Sequence, residues 1–426
     1  MRLAPARRLA LAVTALTAVA LPLCLPASAS AASTVSTRSF GMHYTNPADP
    51  YLVKFGSSRI WDMGVTWRDL QPRRGTTSAT AIARLDKIVA TMRAHGSQPL
   101  LTLGMTPAWA AHKCNHYYAG VNWGLKTCAP VSTSTTGAWG KYVRMLASRY
   151  RGKVKYFELW NEPSYHNGYN DSVRKLAKMQ ASAQKILHAY GDRLVSPAIA
   201  FTDGNPKHGM RWLDNFLHLP GGKAFDIVGL HLYPDDPSAR AGRGPEWAMQ
   251  TLGSVRGVLR RDGVGRRPVW NTETNVGRVP AHTQVGSGTR AAAMVARTYL
   301  LATEHNVART FWYAADDRHW GGTWLESTSR RSLTTAGRAY VVMQKLLVGA
   351  HPRGCSVSGA HYTCRYRLAS GQSMLAVWTT RGSFAFHGPR GTKRLAWVAG
   401  GGRTASHATR VTVGAAPVYV IGTFKV

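Results

Sequence analysis

The chain has 426 residues, 54 of them Lys or Arg and 20 of them Asp or Glu, for a formal net charge of +34. Its 44% hydrophobic content excludes a disordered chain, and its length allows a barrel-sized core with an accessory module. The cations would attract any polyanion, but no nucleic-acid-binding motif accompanies them and an arginine-rich composition explains them equally well, so no specific nucleic-acid partner is expected.

The first predicted element is a secretory signal over residues 1–31. Arg2, Arg7 and Arg8 precede an apolar run from Leu9 to Leu25, and small residues follow from Ala27 to Ala31. Pro22 and Pro26 interrupt the run and argue against a membrane span, and no later stretch reaches spanning length without charges. The remainder is therefore expected to be secreted, free of the membrane and, by default, monomeric. In that oxidising compartment the simplest disulfides are Cys114–Cys128 and Cys355–Cys364. No Cys and His spacing matches a zinc site, and neither a metal nor an organic cofactor is expected.

From residue 40 onward, apolar runs alternate with helix-like segments. The strand candidates are Phe40–Tyr44, Ser58–Met63, Leu100–Leu103, Val154–Trp160, Leu194–Ala198, Ile227–Tyr233, Pro268–Glu273 and Ala308–Tyr313. Helical patterns lie between and after them, at Ala81–Ala94, Gly137–Tyr150, Val173–Tyr190, Glu246–Arg261, Arg290–Glu304 and Thr335–Val348. This rhythm predicts an α/β fold, a (β/α)8 barrel over residues 32–349. No glycine-rich phosphate-binding turn follows the first strand, which argues against a dinucleotide-binding sheet. After Gly349 the pattern changes to short alternating runs separated by Gly-rich turns, predicting a small antiparallel β-sandwich module over 350–426. From Ser327 to Val426 this tail has no Asp or Glu against 14 Lys and Arg.

Scarce acids make their positions informative. Of six glutamates, Glu158, Glu246, Glu304 and Glu326 fit strand, helix or surface positions. Glu162 and Glu273 each close an apolar strand candidate, in Phe157-Glu158-Leu159-Trp160-Asn161-Glu162-Pro163 and in Val269-Trp270-Asn271-Thr272-Glu273-Thr274. In a barrel the C-terminal strand ends form the active-site face. Two carboxyl groups brought there suit glycosidic-bond hydrolysis, in which one protonates the leaving oxygen and the other attacks or stabilises the anomeric carbon.

Trp160-Asn161-Glu162-Pro163 on the fourth strand candidate and Trp270-Asn271-Thr272-Glu273 on the seventh resemble the acid/base and nucleophile signatures of the clan A, or "4/7", retaining glycoside hydrolases, and within them most resemble glycoside hydrolase family 39, the β-xylosidase-like family. The resemblance implies Glu162 as acid/base and Glu273 as nucleophile. It further implies that Asn161 binds a sugar hydroxyl, that Arg59 keeps the nucleophile ionised, that His231 and Tyr233 form a sixth-strand pair with Tyr233 donating to Glu273, and that Trp312 forms the floor under the sugar. His43 and Trp109, with Trp67, Trp320 and Trp324, are weaker candidates for sugar contacts, since aromatic faces stack on pyranose and furanose rings. The loop from His112 to Thr127 is expected to shape one end of the cleft.

The resulting expectation is a secreted retaining glycoside hydrolase acting on a carbohydrate by double displacement, with the charge pointing to an anionic or cell-wall glycan. The alternative is a catalytically inactive carbohydrate- or cell-wall-binding barrel. The basic tail favours that alternative and the two intact carboxyl groups oppose it.

Overall fold

The computed structural model describes residues 34–46, 51–112, 127–165, 168–202, 206–234, 244–280, 282–329, 331–405 and 409–426. The expected signal segment, Cys114 and most of the loop from His112 to Thr127 lie outside these residues. Strands β1 (Phe40–His43), β2 (Ser57–Ile60), β3 (Gln98–Leu103), β4 (Tyr156–Leu159), β5 (Arg193–Val195), β6 (Ile199–Thr202), β7 (Val228–Tyr233), β8 (Val269–Thr274) and β9 (Arg309–Trp312) alternate with helices α1 (Trp67–Leu70), α2 (Ala79–Ala94), α3 (Ala138–Arg149), α4 (Val173–Ala189), α5 (Pro206–Leu217), α6 (Pro245–Arg261), α7 (Thr289–Glu304) and α8 (Thr335–Leu347).

The nine strands form one parallel sheet in the order β5-β4-β3-β2-β1-β9-β8-β7-β6. Bridges Asn161↔Ala198 and Val195↔Ile227 join its two ends, closing a (β/α)8 barrel. The fifth barrel strand, expected as Leu194–Ala198, is split into β5 and β6. Pro197 sits at the break, where it has no N–H to give a ladder, so β5 pairs with β4 and β6 with β7.

Strand alternation sorts the side chains. Leu100, Val195, Ile227, Trp270 and Phe311 cluster inside the barrel, while Met42, Leu230 and Trp312 pack outward against the helices. The helices answer with apolar stripes. In α2, for instance, Ser78 caps the first turn by accepting from Ala81 N, and Leu85, Ile88, Val89 and Met92 are buried. Each such side chain contributes about 1.5–3 kcal/mol on burial.

Beyond α8, strands β10 (His351–Ser358), β11 (His361–Arg367), β12 (Ser373–Thr379), β13 (Phe384–His387), β14 (Thr392–Trp397), β15 (Gly402–Thr404), β16 (Arg410–Val413) and β17 (Val418–Gly422) form an antiparallel module. Six make one sheet, in the order β10-β11-β12-β17-β14-β15, and β13 pairs with β16. The Cys355–Cys364 disulfide joins β10 to β11, and Cys128 is also disulfide-bonded. One apolar core runs from α7 and α8 into the sheet through Tyr366, Met374, Ala376, Trp378, Tyr419 and Ile421. Within that interface Glu246 of α6 pairs with Arg297 of α7 and accepts the Trp378 indole N–H at 2.9 Å. Among the described residues no helix is long and apolar enough to cross a membrane.

Candidate active site

Glu273 reaches the barrel interior through an irregularity in β8. Trp270 faces inward, so strict alternation would turn Glu273 outward. Instead β8 carries one extra residue relative to both neighbours: Leu230 and His231 of β7 pair with Asn271 and Glu273, and Thr310 and Trp312 of β9 pair with Asn271 and Thr274. Such a bulge re-aims the side chains after it. Asn271 Oδ1 pins this one by accepting from Leu232 N at 3.0 Å, and Thr274 Oγ1 donates to Leu232 O at 2.7 Å.

Two donors grip the Glu273 carboxylate. Arg59 Nη1 binds Oε1, and the Tyr233 hydroxyl donates to Oε2 at 2.8 Å. Arg59 is fully buried and its fork is fully used, with Nε donating to Glu158 Oε2 at 2.8 Å and Nη2 to Asn161 Oδ1 at 2.8 Å. Burial pushes the guanidinium's pKa down, but Glu158 and Glu273 outweigh it and the net shift is upward. Burial, then Glu273 and Glu162, push the Tyr233 phenol far above its ordinary value, so it remains a proton donor.

Glu162 lies just past β4, where the chain turns through left-handed backbone at Trp160 (φ 60°) and again at Glu162 (φ 46°). Such conformations cost non-glycine residues about 1–3 kcal/mol each and persist only where the surroundings impose them. Here Trp160 N donates to Leu103 O at 2.7 Å, its indole N–H donates to Gly168 O at 2.8 Å, and the Glu162 carbonyl accepts from Tyr165 N at 3.1 Å. Glu162 is half-buried, so its carboxyl group meets both the pocket and solvent.

His231 joins the two acids. Its Nδ1 is 2.9 Å from Glu162 Oε1 and 3.4 Å from Glu273 Oε2, and one ligand-type atom from each of the three residues lies within 4.8 Å of the others. Among the described residues this is the one group around Glu273 that offers a cation-sized set of N and O atoms, although Arg59 and Tyr233 already bind both oxygens of Glu273. A second acidic group, Asp214, His218 and Asp262 at the ends of α5 and α6, is crossed by Arg261 bound to Asp214.

The structure gives four of the residues singled out above other surroundings than expected. Trp312 does not form the floor, because Arg309 and Phe311 take the inward phase of β9 and leave Trp312 fully buried and stacked on Tyr299 of α7. Tyr313, the next residue, faces the site instead and packs against Tyr233. His43 is inward-facing but fully buried, with its ring 4.6 Å from Tyr313 and its Nε2 2.7 Å from Asp62 Oδ1. His231 is likewise fully buried, with its Nδ1 turned to the two carboxyl groups. Trp109 is half-buried against Trp67, donates its indole N–H to Gln71 O at 2.8 Å and lies under Arg74; these contacts tie it to α1 and the loop after it. Asn161, in contrast, is half-buried and beside the pair.

Sequence reasoning passed over Glu158, Asp62 and Tyr313. Glu158 Oε2 accepts from Arg59 and, at 2.9 Å, from the Thr102 hydroxyl. Its signal was available, since a glutamate two residues inward from a strand's end on the barrel face has to be paired. Asp62 and Tyr313 lie inside the expected strands Ser58–Met63 and Ala308–Tyr313, but only the three-dimensional closure brings them together.

A family model described as "Glycosyl hydrolase catalytic core" matches residues 105–340. Over 122 residues the chain is 28% identical to a 6-phospho-beta-glucosidase of Clostridium longisporum, a match covering 28% of this chain and 24% of that one, so it spans about a quarter of that relative's length. Among solved structures, a family 39 glycoside hydrolase of Bacteroides cellulosilyticus WH2 superimposes with a TM-score of 0.66 at 18% identity, covering 92% of this chain and 82% of that one. A GH39 beta-xylosidase of Caulobacter crescentus gives 0.62 at 14% identity, covering 92% and 98%, and a GH30 endoxylanase of Clostridium papyrosolvens C71 gives 0.62 at 11%, covering 93% and 98%. At these identities the structural likeness shows the shared fold.

Proposed function

Because the chain belongs to the glycosyl hydrolase catalytic core family, we propose that it is a retaining glycosidase cleaving O-glycosidic bonds by double displacement, with Glu273 as nucleophile and Glu162 as acid/base. The observation that carries this reading is the approach of the two carboxyl groups across His231, with one atom from each residue within 4.8 Å of the others. Retaining enzymes hold their carboxyl groups about 5–5.5 Å apart, whereas inverting ones leave about 6.5–9.5 Å for a water.

In the first step Glu273 attacks the anomeric carbon, the bond to the leaving oxygen breaks, and Glu162 delivers its proton to that oxygen. Tyr233 and Arg59 keep Glu273 oriented and anionic until attack, and Asn161, fixed by Arg59, offers its amide to a sugar hydroxyl. In the second step Glu162 takes a proton from water, the oxygen of that water attacks the anomeric carbon, and Glu273 leaves as carboxylate. The charged and dipolar groups are in place before reaction, which is the largest source of rate enhancement in such sites. The Arg-rich start, apolar run and small-residue tract of residues 1–31 support secretion of the protein.

The test is the anomeric configuration of the first-formed product, followed by NMR during hydrolysis. Retention is expected, and inversion would refute the mechanism. Glu273→Gln should abolish turnover, and azide should rescue Glu162→Ala on a substrate with a good leaving group.

A further inference from the structure

The chain is strongly cationic, yet the described residues beside Glu273 are largely acidic. Glu158 and Glu273 flank the Arg59 guanidinium, and Glu162 approaches Glu273 across His231. Asp62, just beyond β2, adds a further carboxylate at the mouth, one that the hydrolytic steps above do not use. Of the basic residues on neighbouring loops, Arg74 lies over Trp109 and Arg318 over Trp324.

Asp62 is held firmly and remains accessible. His43 Nε2 meets Oδ1 at 2.7 Å, the Tyr313 hydroxyl donates to Oδ2 at 2.7 Å, and 33% of the side chain is exposed. Protein packed around the carboxyl pushes its pKa up, but His43, Tyr313 and Arg59 together prevail and hold it at about 2. Each carboxylate oxygen accepts two hydrogen bonds, so both keep acceptor capacity after these contacts. His43 is fully buried behind it, and Tyr313 packs on Tyr233, the donor to Glu273. A fixed, ionised acceptor is therefore linked to the nucleophile through two aromatic rings, Tyr313 and Tyr233.

We propose that Asp62 determines specificity: it accepts hydroxyl hydrogens of the sugar seated against Glu273 and excludes sugars that carry a negative charge there. This rests on the glycosidase reading. A neutral sugar supplies donors that suit Asp62, whereas a carboxylate or phosphate substituent would face the like charges of Asp62 and Glu273 and be repelled. The cationic outer surface then gathers polyanions without the cleft accepting them.

The experiment compares wild type, Asp62→Asn and Asp62→Ala on 4-nitrophenyl β-glucoside, β-glucuronide and 6-phospho-β-glucoside, and on the galactoside and galacturonide pair. In parallel, binding of glucose and glucuronate to the Glu162→Gln chain, with and without Asp62→Asn, is measured by calorimetry. Wild type should favour the neutral member by at least about 100-fold, and Asp62→Asn should narrow that ratio at least about tenfold, since the amide keeps the shape and removes the charge. A purely structural role would lower both members alike and leave the ratio unmoved, which overturns the assignment. So does a wild-type preference for a charged member, or an absence of discrimination in both assays. Lack of turnover by wild type would sink the glycosidase reading alone, because the binding assay still decides the role of Asp62.

Discussion

The Tyr233 hydroxyl donates to Glu273 Oε2 at 2.8 Å, from one strand to the next and across the bulge that turns Glu273 inward. Burial keeps that phenol protonated, so the contact survives at every working pH. Removing it in Tyr233→Phe leaves Arg59 and His231 as the neighbours of Glu273. A hydrogen bond to a charged group contributes about 1.5–3 kcal/mol, so kcat/KM should fall roughly 10- to 150-fold with the fold intact. Steady-state kinetics beside circular dichroism checks this, and an unchanged kcat/KM would remove Tyr233 from the mechanism.

Glu158 stands behind Arg59 as Arg59 stands behind Glu273. In Glu158→Gln the guanidinium keeps a neutral acceptor but loses one of its two buried counter-charges. We expect kcat to drop about 10- to 100-fold while KM changes little, because Glu158 positions Arg59 and touches no sugar. A denaturant titration should show a loss on the order of 2–4 kcal/mol as well. A rise in KM with kcat unchanged would contradict this role.

Gly168 tests the turn that carries Glu162. A Cβ at this position would lie 2.2 Å from the Glu162 carbonyl oxygen, so Gly168→Ala must shift the left-handed turn. The consequence should fall on proton donation: turnover of substrates with poor leaving groups should decrease at least about tenfold more than that of 4-nitrophenyl substrates. Equal losses on both would place the damage elsewhere.

Glu304, where α7 meets β10, should make stability depend on pH. Burial raises its pKa to about 7, against the opposing hydrogen bonds from Gly354 N, Arg353 N and Tyr366. The folded protein therefore holds this proton more tightly than the unfolded chain does. The resulting stability is present below pH 4.5, the ordinary glutamate value, and is lost as pH rises through about 7. Glu304→Gln should flatten that decline and exceed wild type by roughly 1–3 kcal/mol at pH 8, the lower figure allowing for water at the partly exposed side chain. Melting temperatures of both chains between pH 4 and 8 measure it, and parallel curves would show that Glu304 does not titrate in this window.

Much of the architecture was legible in residue order. The eight apolar runs match eight barrel strands, and the expected helices recur within a few residues of α2, α3, α4, α6, α7 and α8. The split of the fifth strand was not foreseen, although Pro197 marked it in plain view. The misplacement of Trp312 has a comparable origin. The family resemblance pointed to the tryptophan as the floor under the sugar, while alternation from Phe311 assigns the inward position to Tyr313.

The residue order by itself determined that strands and helices would alternate and that Glu162 and Glu273 would stand at strand ends, because apolar periodicity and strand length are local properties of the chain. Only the tertiary structure decided which way those ends face. One extra residue in β8 reverses the phase of Glu273, and ring closure brings Asp62, His43 and Tyr313 from separate strands to one point. Pairing register and barrel closure depend on contacts between distant segments, so no local pattern encodes them.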